Sequence, residues 1–216
     1  MLNRWLAVGG MVGSALFLVV AFIIGETRSG YSHVSQGISA LSETGAPTPW
    51  AQSVNFIVLG LLTIGLAVGL HRGINHGAGS VLGPALIAAF GLLAAIGNGV
   101  FPADPANAPE TAIGQVHSLT AGLGFMAVIV SAFVLPRRLR SDSRWRDLEA
   151  RSRWLGSGAA VLMVVFLLAN EEVMLTRWVG LLQRVFGATV LLWLFLLALR
   201  LFRVSLGPAE RLITHR

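Results

Sequence analysis

The sequence predicts an all-α, polytopic transmembrane bundle of six helices, and three observations predict it. Only 12% of the 216 residues are charged and mean hydropathy is +0.73, whereas soluble domains carry about 25% charged residues. Six segments are long enough to cross a bilayer, which takes roughly 20 apolar residues at about 1.5 Å each. The basic residues, all of them arginine, fall very unevenly among the connections. Lipid offers an exposed backbone no hydrogen bonds, so spanning segments must be helices or closed barrels.

The spans are expected at about residues 5–24, 51–70, 80–101, 117–136, 154–169 and 178–199, so that 1–216 forms a single transmembrane domain. The first apolar run exceeds the roughly 7–15 residues of a signal-peptide core and has no small-residue cleavage site after it, so it reads as an anchor. Between the first two spans, GYSHVSQGISALSETGAP carries Val34, Ile38 and Leu41 at helical spacing, with Ser35, Ser39 and Ser42 on the adjoining stripe. This pattern predicts a short interfacial helix over 33–44, with Ser32 as its N-cap and Gly45 and Pro47 as its stop. Gly9 and Gly13, Gly65 and Gly69, and Gly156 and Ala160 have the spacing that lets helices pack closely in lipid.

If the spans alternate in direction, thirteen of the sixteen arginines lie on one side, seven of them in residues 137–153. The positive-inside rule then places both termini in the cytoplasm of a multi-pass plasma-membrane protein. The 137–153 loop is expected to meet anionic lipid headgroups. The high pI of about 11.5 follows from this bias, and no recognition module accompanies it, so nucleic acid is not an expected partner. Without cysteine there is no thiol nucleophile or disulfide framework.

Amides and charges collect at the opposite, outer ends of the spans, where hydrocarbon would penalise them unless they face one another or water. Asn55, Asn98, Asp104, His117, Glu171, Glu172 and Arg184 are therefore expected to line an outward-facing polar pocket, with the 33–44 helix as its wall or lid. Arg184 lies inside the sixth span and shares a helix face with Arg177, Gly180 and Gly187. It reads either as an internal ion pair or as an anion site using its forked donors. Ser35 and His33 belong to the same binding surface. Asp104, His117 and Ser39 are the candidates for acid, base and nucleophile. His33, Asp104 and His117 together make a two-histidine, one-carboxylate set, so a divalent metal is the one cofactor the residues leave open; no other cofactor is expected.

Four stretches, YSHVSQGISALSETGAP, GVFPADP, TAIGQVHSL and GLLQRV, resemble in order the signatures of the domain of unknown function 998 family, small six-helix membrane proteins of bacteria and archaea. The resemblance covers nearly the whole chain. It implies the six-span architecture and places Ser35, Ser39, Asp104, His117 and Arg184 in the family's characteristic segments, with no established activity attached. A looser similarity of kind to alkaline-ceramidase-type hydrolases lacks that group's late HxxxH pair and one of its helices.

Three function classes fit these residues. One is a protein that binds or transports a lipid headgroup or other anion, with Arg184 as counter-ion. Another is a membrane-embedded hydrolase or transferase using His117 and Asp104. The last is an accessory subunit whose polar cluster fixes helix packing. The cytoplasmic halves of the spans hold no amide or charge, which weighs against a through-path for transport.

Overall fold

Each apolar segment folds as a helix: α1 (Leu2–Thr27), α2 (Pro49–Gly73), α3 (Leu82–Val100), α4 (Ala112–Arg140), α5 (Leu148–Glu171) and α6 (Val179–Val204). The computed structural model describes residues 1–106, 108–171 and 175–206. Six helices in it are long and apolar enough to cross a membrane, as a multi-pass membrane protein requires. Each helix packs on its sequence neighbour and α6 returns to α1, closing a ring that α2 also crosses to touch α6. One end of the ring carries the first and last residues of the described chain and the connections 74–81 and 141–147. The other, here the loop end, carries the connections 28–48 and 101–111.

Glycine sets how closely the helices approach. Leu62 of α2 packs on Gly9 and Gly13 of α1, and Leu6 of α1 packs on Gly65 and Gly69 of α2. The expected small-residue pairs therefore serve packing within the chain. In α3, residues Gly91–Gly97 form a π-helical stretch, an uncommon widening of the helix that often marks functional segments. It is held between Gly60 of α2, whose carbonyl faces Gly91, and Gly124 of α4, where an added Cβ would lie 2.5 Å from the Ala94 nitrogen. The widened turns change the face presented by the residues that follow, and Asn98 emerges buried toward α4.

The expected 33–44 helix is two pieces. A single turn closes at Gln36, whose N–H donates to the Ser32 carbonyl, and a 3-10 turn follows over Ile38–Ser42. Gly37 between them is extended (φ −67°, ψ 161°). The break frees the Val34 carbonyl and the Ile38 N–H, which a continuous helix would have consumed, to bond α6 instead. As a result the predicted stripe is split: Ile38 and Leu41 are buried, whereas Val34 is exposed. Gly45 does adopt the left-handed conformation (φ +86°) that a stop requires.

The arginine-rich end is more internally committed than a lipid-facing loop would be. Arg138 is buried and donates to the carbonyls of His71 (2.8 Å), Ile74 (2.7 Å) and Ser80 (2.9 Å), which closes the end of α2. Asp142 accepts from the Asn75 N–H (2.8 Å) and from Arg144 Nη2 (2.7 Å), while Arg200 pairs with Asp147. These bonds sit over a fully buried Trp145.

The Arg144 guanidinium beside Asp142 holds its carboxyl down from 3.8 to about 2. A carboxyl whose folded pKa is depressed stabilises the fold above its ordinary pKa and loses that contribution as pH falls through the folded value. Asp142 is thus expected to contribute about 2 kcal/mol near neutrality, fading between about pH 4 and pH 2. Thermal unfolding against pH should show Asp142→Asn lowering the midpoint at pH 7 and converging with wild type near pH 2. In the same assay Gly124→Val should cost about 1–3 kcal/mol through overpacking against α3.

Candidate functional site

Two constellations occupy the loop end. The first joins the 28–48 connection to α6. Arg184 Nη1 donates to the carbonyls of His33 (2.8 Å), Gln36 (2.8 Å) and Gly180 (2.9 Å), and Nη2 donates to the Tyr31 hydroxyl. Its guanidinium also lies 5.6 Å from the Tyr31 ring centre. Tyr31 in turn donates to the Gly37 carbonyl at 2.8 Å. Burial pushes the Tyr31 hydroxyl above its ordinary pKa, against the opposing pull of Arg184, so it stays a protonated donor at neutral pH. The Leu181 N–H donates to the Val34 carbonyl (2.9 Å) and Gln183 Oε1 accepts from the Ile38 N–H. Gly180 has to be glycine because a Cβ there would overlap the Gln36 backbone. Further along, Arg28 pairs with Glu43 at 2.7 Å and caps the Ala40 carbonyl.

The second constellation surrounds a cavity of about 640 Å³ between α4, α5 and α6. α4 and α5 touch closely where Gly156 meets Ala132, and they diverge toward the loop end, leaving this space. Its inner part is apolar: Phe125, Met163, Phe166 and Phe186 line it, with Phe125 and Phe186 4.6 Å apart between ring centres. Its polar part holds Ser39, Asn98, Asp104, Glu110, His117, Ser118, Asn170 and Gln183. Ser118, Leu167 and Leu168 are both lining and exposed, so the cavity reaches the outer surface between α4 and α5.

Within it, His117 Nδ1 lies 2.7 Å from the Phe101 carbonyl. A carbonyl only accepts, so Nδ1 carries the proton, and Nε2 is left as the ring's acceptor. Asp104 is bound otherwise: its carboxylate accepts from the Thr111 N–H (2.7 Å) and hydroxyl (2.9 Å) at the start of α4, where the helix dipole favours a negative charge. Gly114 lies directly beneath, and a Cβ there would collide with that carboxylate.

The structure thus brings Ser39, Asn98, Asp104 and His117 to one cavity and leaves Arg184, Asn55, Ser35, Arg177 and His33 outside its lining. Arg184 does not line it; backbone carbonyls and the Tyr31 hydroxyl take its donors instead, which satisfies a half-buried cation without a carboxylate. Asn55 is buried between helices, donating to the Phe17 carbonyl (3.0 Å) and to Gln52. Ser35 is exposed, and Arg177 lies over Trp178. His33 stacks on Phe22 with Nε2 3.1 Å from Glu26, far from the Asp104 cluster in its contacts. The set of His33, Asp104 and His117 is therefore not assembled, and among the described residues no group of three or more His, Cys, Asp or Glu is placed to hold a metal. Glu171 closes α5, and Glu172 lies outside the described residues. Sequence reasoning left Gln183, Tyr31 and Gly114 out of the site. Gln183 beside an intramembrane arginine was the available signal; Gly114 and the lone tyrosine gave none without their partners.

Tyr31→Phe removes one acceptor from Arg184 and one donor to Gly37, and is expected to cost about 1–3 kcal/mol in thermal unfolding. Gly114→Ala should lower the midpoint as well, because the Asp104 carboxylate has to leave its Thr111 donors.

The four stretches that carry the resemblance pair off in space. YSHVSQG meets GLLQR through Arg184, Gln183 and Gly180, and FPADP meets TAIGQVH through Asp104, Gly114 and His117. No curated protein and no solved structure matches the chain. The family model described as "Protein of unknown function (DUF998)" matches residues 11–200, and the chain belongs to that family.

Proposed function

We propose that this protein binds an amphiphile in the α4–α5–α6 cavity, with the apolar part among Phe125, Phe166 and Phe186 and the polar end at Asn98, His117 and Ser39. One observation carries the reading: a cavity of about 640 Å³ that is apolar inside, polar toward the loop end, and open sideways between two helices that lipid would surround. A lipid could enter laterally there without crossing the polar end. The expectation of an anion held by Arg184 shifts accordingly. No described arginine lines the cavity, its described charged groups are carboxylates, and His117 offers an acceptor. A polar end rich in hydrogen-bond donors, neutral or cationic, complements it better than an anion. By the arginine bias the termini are cytoplasmic and the cavity opens toward the outer leaflet of a bacterial or archaeal plasma membrane; the 28–48 connection then lies at the interface.

A second reading, hydrolysis or group transfer on the bound amphiphile, rests on Ser39 and the unprotonated Nε2 of His117 facing one cavity. Asp104 is a poor acid or base in it, since both its oxygens are engaged at the α4 terminus.

Gly122 lines the cavity, and a Cβ there would meet nothing within 4 Å. Gly122→Leu therefore starts its side chain in open space at the cavity lining, and gains helix propensity. Mass spectrometry of lipids co-purified in mild detergent should show a bound species in wild type that Gly122→Leu loses, with an unfolding midpoint at or above that of ligand-free wild type. His117→Ala should retain it with about fivefold weaker affinity. An identical lipid complement in wild type and Gly122→Leu would refute the reading, and product formed by wild type but not Ser39→Ala would favour the second one.

A further inference from the structure

The opposite end holds a cleft of about 310 Å³, walled by the start of α1, the end of α2, the 141–147 connection and the end of α6. Its charged side chains are Arg72 and Arg144, and its polar ones include Asn3 and His76; no described carboxylate lines it. Arg72 is exposed, and its Nε donates to the Asn3 side-chain oxygen at 3.3 Å, a neutral partner; among the described residues no carboxylate pairs with its charge. Arg144 is held in place from behind. Asp142 takes its Nε (3.0 Å) and Nη2 (2.7 Å), and the Gly73 carbonyl takes Nη2 as well (3.1 Å). That anchoring fixes the fork and leaves Nη1 with no hydrogen-bond partner among the described residues. Asn75 and His76 adopt left-handed backbone (φ 52° and 51°), an arrangement maintained by the Asn75 bonds to Asp142 and Ser141. Such non-glycine residues persist where surrounding structure enforces them, often at sites of function. His76 is thereby carried into the cleft wall.

We infer that this cleft binds a phosphate group, with Arg72 as its principal cation and Arg144 as a pre-oriented second donor. The site is independent of the loop-end cavity. Planar guanidinium forks suit phosphate oxygens, and a cation with only a neutral partner gains most from an anion. The cleft sits where α1, α2 and α6 end, level with the polar surface a bilayer would present, so two sources share the chemistry: the phosphodiester of an anionic lipid and a free phosphate compound.

The test follows the unfolding midpoint of the full chain in neutral detergent, titrated with phosphatidylglycerol, with phosphatidylcholine, and with inorganic phosphate. Wild type and Arg203→Gln, an exposed arginine outside the cleft, should respond to phosphatidylglycerol well beyond phosphatidylcholine. Arg72→Gln should need roughly tenfold more for the same shift. Asn3→Asp keeps the acceptor for Arg72 while placing a carboxylate in the cleft, and should weaken the response similarly without disturbing the fold. A response to inorganic phosphate of the same mutant dependence would assign the site to a free phosphate compound. No wild-type response to either phosphatidylglycerol or phosphate beyond that to phosphatidylcholine, or responses unchanged in Arg72→Gln and Asn3→Asp, would overturn the inference.

Discussion

The loop end depends on one constraint: an arginine placed inside an apolar helix must have its donors satisfied. An arginine near the centre of a span costs about 2.5–3.5 kcal/mol on insertion scales, and an isolated buried cation is worse. Arg184 meets the requirement with backbone carbonyls of a connection some 150 positions earlier, together with the Tyr31 hydroxyl. The connection cannot then be a continuous helix, because its carbonyls and the Ile38 N–H are needed by α6. The broken geometry of 33–42, the glycine at 180 and the glutamine at 183 all follow from that exchange. It also sets one wall of the cavity, since Ser39 and Gln183 reach the lining from the two halves of the joint.

The same device recurs at the other end. Arg138 turns its donors onto the carbonyls of 71, 74 and 80, as Arg184 does onto those of 33, 36 and 180. In both cases a helix supplies a cation to carbonyls of the connection packed on it, those of 71, 74 and 80 or of 33 and 36, where neither water nor lipid would serve them well. A buried arginine, Arg138, and a half-buried one, Arg184, thereby tie non-helical connections to the ring. The remaining described arginines at that end include internally paired ones, such as Arg200 with Asp147, and exposed ones such as Arg137, Arg140 and Arg151.

Much of the architecture was legible because its causes are local. Apolar run length gave six helices, and glycine spacing in α1 and α2 gave their close packing. Gly45 announced a stop that its positive φ fulfils. The 33–44 helix was misread because periodicity measures which side chains share a face and says nothing of partners for the backbone on α6. Of the polar residues at the span ends, Asn98, Asp104 and His117 line one cavity. Arg184 and Asn55 did not follow, since a polar residue in lipid needs only some partner, and a carbonyl of a distant connection or of Phe17 serves as well as a pocket. Such long-range partners leave no pattern in a single chain.

Hydrogen exchange of individual amides in wild type and Arg184→Gln tests the central claim most directly. If Arg184 holds the 28–48 connection to α6, the amides of Ile38 and Leu181, which bond across that joint, should be protected in wild type. In Arg184→Gln they should lose protection together while α4 amides near Val128 keep theirs. Unchanged protection of Ile38 and Leu181 in the mutant would contradict the account.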